Sequence, residues 1–374
     1  MKASFDGLAG CKVAVIGAGS VGNHLAYSAR KAHADVTVFD ISDESLERMR
    51  TTTFPNRYGE FDKKIKMRNI KNMGEDIFDL VFVGTPPDSH NDLLKLALLH
   101  VKKLVILEKP ITTPDKDKIK GMAEILNKSR VPVLVGYNHR VGRNTAVAEG
   151  LLKINELGRV TKMESYVIES WNGILAAHPW LEKPTDSYLG FSELGGGAAF
   201  EHSHGLDLWR YYAEFLLLGK IVEVEAEAKY SDSSKTCDLS INMKLNTEYG
   251  FQGSCAQSVE DVTPQKEVLV VGEKGELLSK VGGGNSPDLV TWKSTVDQKI
   301  SIQCNIAKTR YDDFDREISY ISHLLGRDVL DKSPIILNGI SGLETALVAS
   351  AALHSAKVER PVAVNIDLLD YEAK

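Results

Sequence analysis

Two short clusters in this 374-residue chain carry the groups needed to work on an alcohol: an ammonium, and an imidazole between carboxylates. Lys109, in Glu108-Lys109-Pro110, follows the apolar run 104–107 and therefore caps a strand. An ammonium there can donate to a substrate hydroxyl or to a developing carbonyl oxygen. The other use of a lysine after a strand is a solvated cap. Glu201, His204 and Asp207 are spaced by three, so on a helix they share one face. A carboxylate beside an imidazole fixes its tautomer and raises its basicity, which suits proton abstraction near neutral pH. The same residues would equally serve as caps and ion pairs of a helix N-terminus. Glu201, His202 and His204 lack the His-x-x-x-His spacing and the distant ligand of a metal centre, so no metal is expected. Tyr137, Asn138, His139 and Arg140, then Trp171, His178, Trp180 and Tyr188, combine rings with hydrogen-bonding groups. That mixture suits a sugar, whose C–H faces stack on rings while its hydroxyls need partners. Core or loop anchoring is the alternative for each.

These groups need elements to hold them. Residues 12–16 read as a short buried strand, Gly17, Gly19 and Gly22 give Gly-x-Gly-x-x-Gly, and 20–31 reads as a helix. Strand, glycine turn and helix N-terminus in that order form a pyrophosphate cradle, with the backbone of Ser20 and Val21 facing the phosphates. Gly17 permits the turn, Gly19 lets the ligand approach, and Gly22 lets helix and strand pack closely. A second strand, 35–39, runs into Asp40, an acid about 20 residues beyond the glycines as the fingerprint requires. Its carboxylate would accept from the adenosine ribose hydroxyls and repel a 2′-phosphate, so NAD is expected and NADP disfavoured. Further strands at 79–84, 103–107 and 131–136 alternate with helices at 43–50, 89–100 and 115–128. This alternation predicts a doubly wound parallel sheet, with ligands beyond the carboxyl ends of its strands. Thr85, Pro86, Pro87 and His90 follow one strand, Glu108 and Lys109 a second, and Asn138 a third, so all are expected along the cofactor's path.

After Gly136 the pattern changes. A strand at 160–169, an irregular aromatic segment at 171–197, a helix at 198–218, strand-like alternation over 221–306 and helices at 311–325 and 339–358 predict an α+β domain. Its large open sheet is mostly antiparallel, with turns at 272–275 and 282–285. The expected division is 1–137 for the dinucleotide and 138–374 for substrate binding and oligomerisation, with a cleft between. Hydrophobic residues form 43% of the chain and charged residues 26%, as in an ordinary globular protein. A net charge of −6 without a basic run argues against nucleic acid. There is no apolar run near 18 residues to span a membrane, and no apolar signal segment in the first ten. Cys11, Cys237, Cys255 and Cys304 form no Cys-x-x-Cys pair, which fits single thiols in a reducing cytoplasm.

The combination resembles the glucose–fructose oxidoreductase/inositol dehydrogenase/MocA (Gfo/Idh/MocA) family over nearly the whole chain. The resemblance rests on the glycine fingerprint, Thr85-Pro86, Glu108-Lys109-Pro110, Gly136-Tyr137-Asn138-x-Arg140, Gly195-Gly196-Gly197 and His204-x-x-Asp207, with support from 343–347 and 355–356. It implies a Rossmann domain followed by an open-sheet domain, NAD(P)-linked redox chemistry on a sugar, cyclitol or sugar nucleotide, and a homodimer or homotetramer. It also implies Lys109 and His204 as the catalytic pair. One departure stands out: the commoner pattern has Asp about a turn before the histidine, often four residues back, where this chain has Phe200, with Glu201 three back. The segments 178–180 and 187–188 resemble members associated with surface-sugar biosynthesis. Alternatives of other kinds are a redox-cycling glycosidase or epimerase that retains NAD, and a non-catalytic dinucleotide sensor.

Overall fold

The computed structural model describes residues 7–154, 157–232, 234, 236–261, 263–284, 286–295, 300–309, 311–326 and 334–365. Asn285, at the end of the second expected turn, lies outside them. The chain forms two compact units, one of residues 1–112, 121–138 and 311–340, the other of 113–120, 139–310 and 341–374.

Six strands make the sheet of the first unit: β1 (Lys12–Ile16), β2 (Asp35–Asp40), β3 (Lys66–Asn69), β4 (Phe78–Val83), β5 (Val101–Leu107) and β6 (Val133–Val135). They lie in the order β3-β2-β1-β4-β5-β6, all parallel. Val13, Ala14, Val15 and Ile16 are at most 1% exposed, as expected for a central strand covered on both faces. Helices α1 (Ser20–Lys31), α2 (Asp43–Arg48), α3 (Phe54–Tyr58), α4 (His90–His100) and α5 (Lys116–Lys128) connect the strands. Strand order reverses between β1 and β4, the switch point where such sheets bind ligands. Sequence periodicity misses β3, whose Lys-Met-Arg-Asn has no apolar alternation. Helix α10 (Asp312–Leu325) also packs in this unit: Phe314 stacks on His24 at 4.5 Å, and Tyr311 meets the edge of Tyr27 at 5.9 Å.

The second unit contains α6 (Arg143–Ile154), β7 (Val160–Ile168), α7 (Trp171–Ala176), α8 (Gly197–Glu201), α9 (His204–Phe215) and α11 (Gly339–Val358), the last with its first two residues in the other unit. Its remaining strands are β8 (Ile221–Tyr230), β9 (Asp238–Thr247), β10 (Gln252–Ser258), β11 (Gln265–Gly272), β12 (Gly275–Lys280), β13 (Asp288–Ser294), β14 (Ile300–Ile306) and β15 (Val362–Ala363). The sheet order is β14-β13-β12-β11-β7-β10-β9-β8-β15, antiparallel except for β7 beside β10. Ile241, Met243 and Leu245 are buried while Asn242 and Lys244 are exposed, so one face is packed and one is wet. Helix α9 lies on the packed face, with Trp209 donating to the Met163 carbonyl at 3.3 Å. Among the described residues no helix is long and apolar enough to cross a membrane.

Candidate functional site

The glycine turn follows β1 at the switch point. Gly17 has φ +106° and donates its N–H to the Phe39 carbonyl at 2.7 Å, and a Cβ on it would stand 2.7 Å from the Gly84 carbonyl oxygen. A Cβ on Gly22 would stand 1.8 Å from the Gly17 oxygen, so only hydrogen fits there. Among the described residues, a Cβ on Gly19 would meet no atom within 4 Å. The space beside the N-terminus of α1 is therefore open, as a pyrophosphate requires. Asp40 closes the end of β2: Oδ2 accepts from the Ala18 N–H at 2.8 Å and Oδ1 from the Ser42 N–H at 2.8 Å. Each oxygen keeps a lone pair for a ribose hydroxyl. Val21 is half-buried, while the Ser20 hydroxyl is taken up by the Arg57 guanidinium, which donates to Ser20 Oγ and to its carbonyl at 2.8 Å each. No motif spacing marks Arg57.

Beyond β4, Thr85 pairs with Ser89 at 2.8 Å, Pro86 is exposed and Pro87 buried. His90, expected along the cofactor's path, holds loop carbonyls. It is fully buried, with Nε2 2.8 Å from the Thr85 carbonyl and Nδ1 3.1 Å from that of Pro110. Burial pushes its pKa down against the pull of these carbonyls. The effect of the ring is to tie the loop after β4 to the loop that carries Lys109. Lys109 itself is half-buried at the end of β5, and its N–H donates to Glu108 Oε2 at 3.1 Å. Glu317 on α10 is fully buried, with neither carboxyl oxygen hydrogen-bonded among the described residues. Burial first, then the charges of Glu108 and Asp313, hold this carboxyl well above the usual carboxylate range. Asn138 is 8% exposed and its buried Oδ1 has no partner among the described residues, leaving an acceptor beyond β6. Tyr137, expected to touch substrate, is fully buried. The open space over Gly19, the Asp40 carboxylate and the orphaned Asn138 oxygen fit a dinucleotide.

In the second unit the expected single helix over 198–218 is broken. Helix α8 ends at Glu201 and α9 begins at His204, so Glu201, His204 and Asp207 do not form one stack. The Asp207 carboxylate faces Arg140, which donates at 2.7 and 2.6 Å, and it also accepts from Thr345 Oγ1 at 2.9 Å. Side-chain exposures of 3% and 1% make this a buried bidentate pair. The half-buried His204 ring instead lies 4.3 Å from that of His139, tilted by 40°. Glu201 accepts from the Tyr188 hydroxyl at 3.1 Å. His202 is buried against the Glu169 carbonyl at 3.0 Å, and burial pushes its pKa down. Trp171 opens α7, His178 Nδ1 lies 2.8 Å from the Ile174 carbonyl, and the His178 and Trp180 rings meet edge to face at 5.3 Å. No group of three or more His, Cys, Asp or Glu among the described residues is placed to hold a metal ion.

Residues 11–137 match the family described as "Oxidoreductase family, NAD-binding Rossmann fold" (GFO_IDH_MocA). No curated protein matches the chain. Solved structures share the fold. An NAD binding oxidoreductase from Klebsiella pneumoniae aligns with a TM-score of 0.72 at 18% identity, covering 95% of this chain and 98% of that one. An oxidoreductase from Agrobacterium radiobacter, in complex with NAD+, L-tartaric acid and magnesium, gives 0.71 at 17% identity, covering 96% and 99%. A levoglucosan dehydrogenase in complex with NADH and levoglucosan gives 0.69 at 17%, covering 95% and 99%.

Proposed function

We propose that this chain, whose residues 11–137 match an oxidoreductase family with an NAD-binding Rossmann fold, oxidises a secondary alcohol of a sugar, cyclitol or sugar nucleotide, or reduces the matching ketone. The observation that carries the reading is Lys109 at the carboxyl end of β5, one strand from the switch point where the glycine cradle opens. The similar structure solved with levoglucosan supports the substrate class.

NAD, when bound, supplies the carbon that accepts the hydride. In the proposed mechanism Gly19 leaves room for its pyrophosphate, Asp40 holds its ribose hydroxyls and disfavours a 2′-phosphate, and Asn138 offers an acceptor near its path. His204 takes the hydroxyl proton as general base. Lys109 donates to the same oxygen and stabilises the charge that develops there. Glu108 holds the Lys109 N–H, and His90 holds the loops on either side. Tyr188 reaches the site through Glu201. The rings of Trp171, His178 and Trp180, with Tyr188, offer faces for a pyranose or cyclitol. Asp207 acts at one remove, by anchoring Arg140 beneath α9.

The test is turnover of a panel of hexoses, hexuronates and cyclitols with NAD, read at 340 nm. Lys109→Ala and His204→Ala should each lower kcat by about 10²–10⁴-fold, with the Kd for NAD unchanged by fluorescence. Wild-type turnover in both variants would remove the mechanism.

A further inference from the structure

Between Tyr188 and His204 the chain makes a turn of three glycines, and a carboxylate from the sheet sits inside it. Ser192 Oγ donates to Asp238 Oδ1, the Ala199 N–H donates to Oδ2 at 2.7 Å, and the Asp238 N–H donates back to Ser192 Oγ at 3.0 Å. One aspartate at the start of β9 therefore holds both ends of the segment 192–199. The glycines permit this closeness. Gly197 has φ +75°, and a Cβ on it would stand 2.1 Å from Asp238 Oδ1. A Cβ on Gly196 would stand 2.2 Å from the Tyr188 carbonyl oxygen. Gln257 of β10 adds a second hold, its Nε2 donating to the carbonyls of Ala198 at 2.6 Å and Ala199 at 3.1 Å. Asp238 is fully buried, and Glu201 follows Ala199 by two residues on the same short helix.

We propose that Asp238 is a positioning residue: by fixing the triple-glycine turn to the sheet, it sets where Glu201 and His204 stand. It touches neither substrate nor cofactor, and its part rests on the catalytic reading of His204 given above. Neither the sequence motifs nor the similarity to known proteins assigns it a role. A buried carboxylate that accepts from two points of one loop is a stiff joint, because losing either bond leaves a buried polar atom unpaired. A displacement of about 1 Å at a reacting group can cost about a hundredfold in rate, so the joint bears on turnover more than on affinity.

Asp238→Asn keeps the shape but turns one of the two accepting oxygens into a donor. With NAD and the panel member oxidised fastest, kcat per folded enzyme should fall ten- to hundredfold. The folded fraction is counted by NADH-binding stoichiometry. KM for NAD and for the sugar should change less than twofold, a split that simple loss of structure does not produce. Ser192→Ala removes one arm of the clamp and should lower kcat in the same direction by a smaller factor; it decides the matter if Asp238→Asn does not fold. Without any substrate, the His204 ring signals of 13C-histidine-labelled protein, assigned with His204→Ala, should move in the Asp238→Asn protein. Wild-type kcat in the folded variants, or unmoved His204 signals, overturns the proposal. Lys109→Ala and His204→Ala run alongside separate the two failures. If those two keep turnover, the catalytic reading falls. If they lose it while Asp238→Asn keeps it, only the positioning role falls.

Discussion

At the scale of single residues, the site is shaped by which charges are already paired. Asp207 shows why spacing misled. Three-residue spacing puts side chains on one helix face but does not say which partner reaches that face first, and Arg140 arrives from 67 residues earlier in the chain. A guanidinium makes two parallel bonds to a carboxylate where an imidazole makes one, so it takes the acid. Breaking a pair this buried leaves an uncompensated charge. Asp207→Asn should therefore lower unfolding free energy by about 3–5 kcal/mol, measured by urea denaturation. Asp238 was illegible for a different reason. It has the parity of the half-exposed Ser240 and the exposed Asn242 and Lys244, but the β8–β9 register slips between Lys229 and Tyr230, and that irregularity turns it inward. Burial raises its carboxyl from 3.8 to about 6 against the hydrogen bonds from Ser192 and Ala199. A raised carboxyl favours its protonated form in the fold. Its contribution to stability is thus full below about pH 4 and is lost as pH rises through about 6, a change of roughly 3 kcal/mol. Urea unfolding from pH 4 to pH 7 should show wild type losing ground to Asp238→Asn across that window; parallel curves would contradict it.

At the scale of elements, the first unit was legible because its strands are apolar on both faces and its turns carry glycine. The predicted strand 12–16 and helices 20–31 and 339–358 coincide with those in the structure. Where the hydrophobic pattern is weak the reading stopped. Strand β3 passed unseen, and the helix at 43–50 continues through a turn of π-helix, Met49–Thr53, into α3. The break between α8 and α9 was hidden because Glu201-His202-Ser203-His204 holds neither proline nor glycine to mark it. Two glycines of one fingerprint should respond differently to the same change. Gly19 has φ −76°, which alanine adopts freely, and its Cβ would meet only open space. Gly19→Ala should fold with wild-type Tm and bind NAD at least tenfold more weakly, as seen by fluorescence titration. Gly22→Ala forces a Cβ against backbone at 1.8 Å and should cost about 1–3 kcal/mol or more in stability, with or without NAD. Equal effects from the two would mean that the open space over Gly19 is not the phosphate site.

At the scale of the whole molecule, the chain divides its work between two sheets of different kinds. The parallel sheet, buried on both faces, supplies a rigid edge with the glycine turn, Asp40 and Lys109 at strand ends. The mixed sheet has one wet face and one packed face, and its packed face carries the helices that lead to His204. Residues 311–340 return to the first unit, where α10 lies against α1, an arrangement that no local pattern announces because it depends on contacts nearly 300 residues apart in sequence. Asp40 should set cofactor choice for the assembled enzyme: Asp40→Ser should narrow the preference for NAD over NADP by at least tenfold in kcat/KM, and an unchanged ratio would deny the carboxylate that part. The central proposal is that Lys109 and His204 act on one oxygen atom. A double-mutant cycle on kcat with Lys109→Met and His204→Asn tests it most directly. If both groups serve the same proton and the same developing charge, the double variant will turn over about as slowly as the slower single variant. Losses that multiply independently, or a single variant with wild-type kcat, would contradict the account.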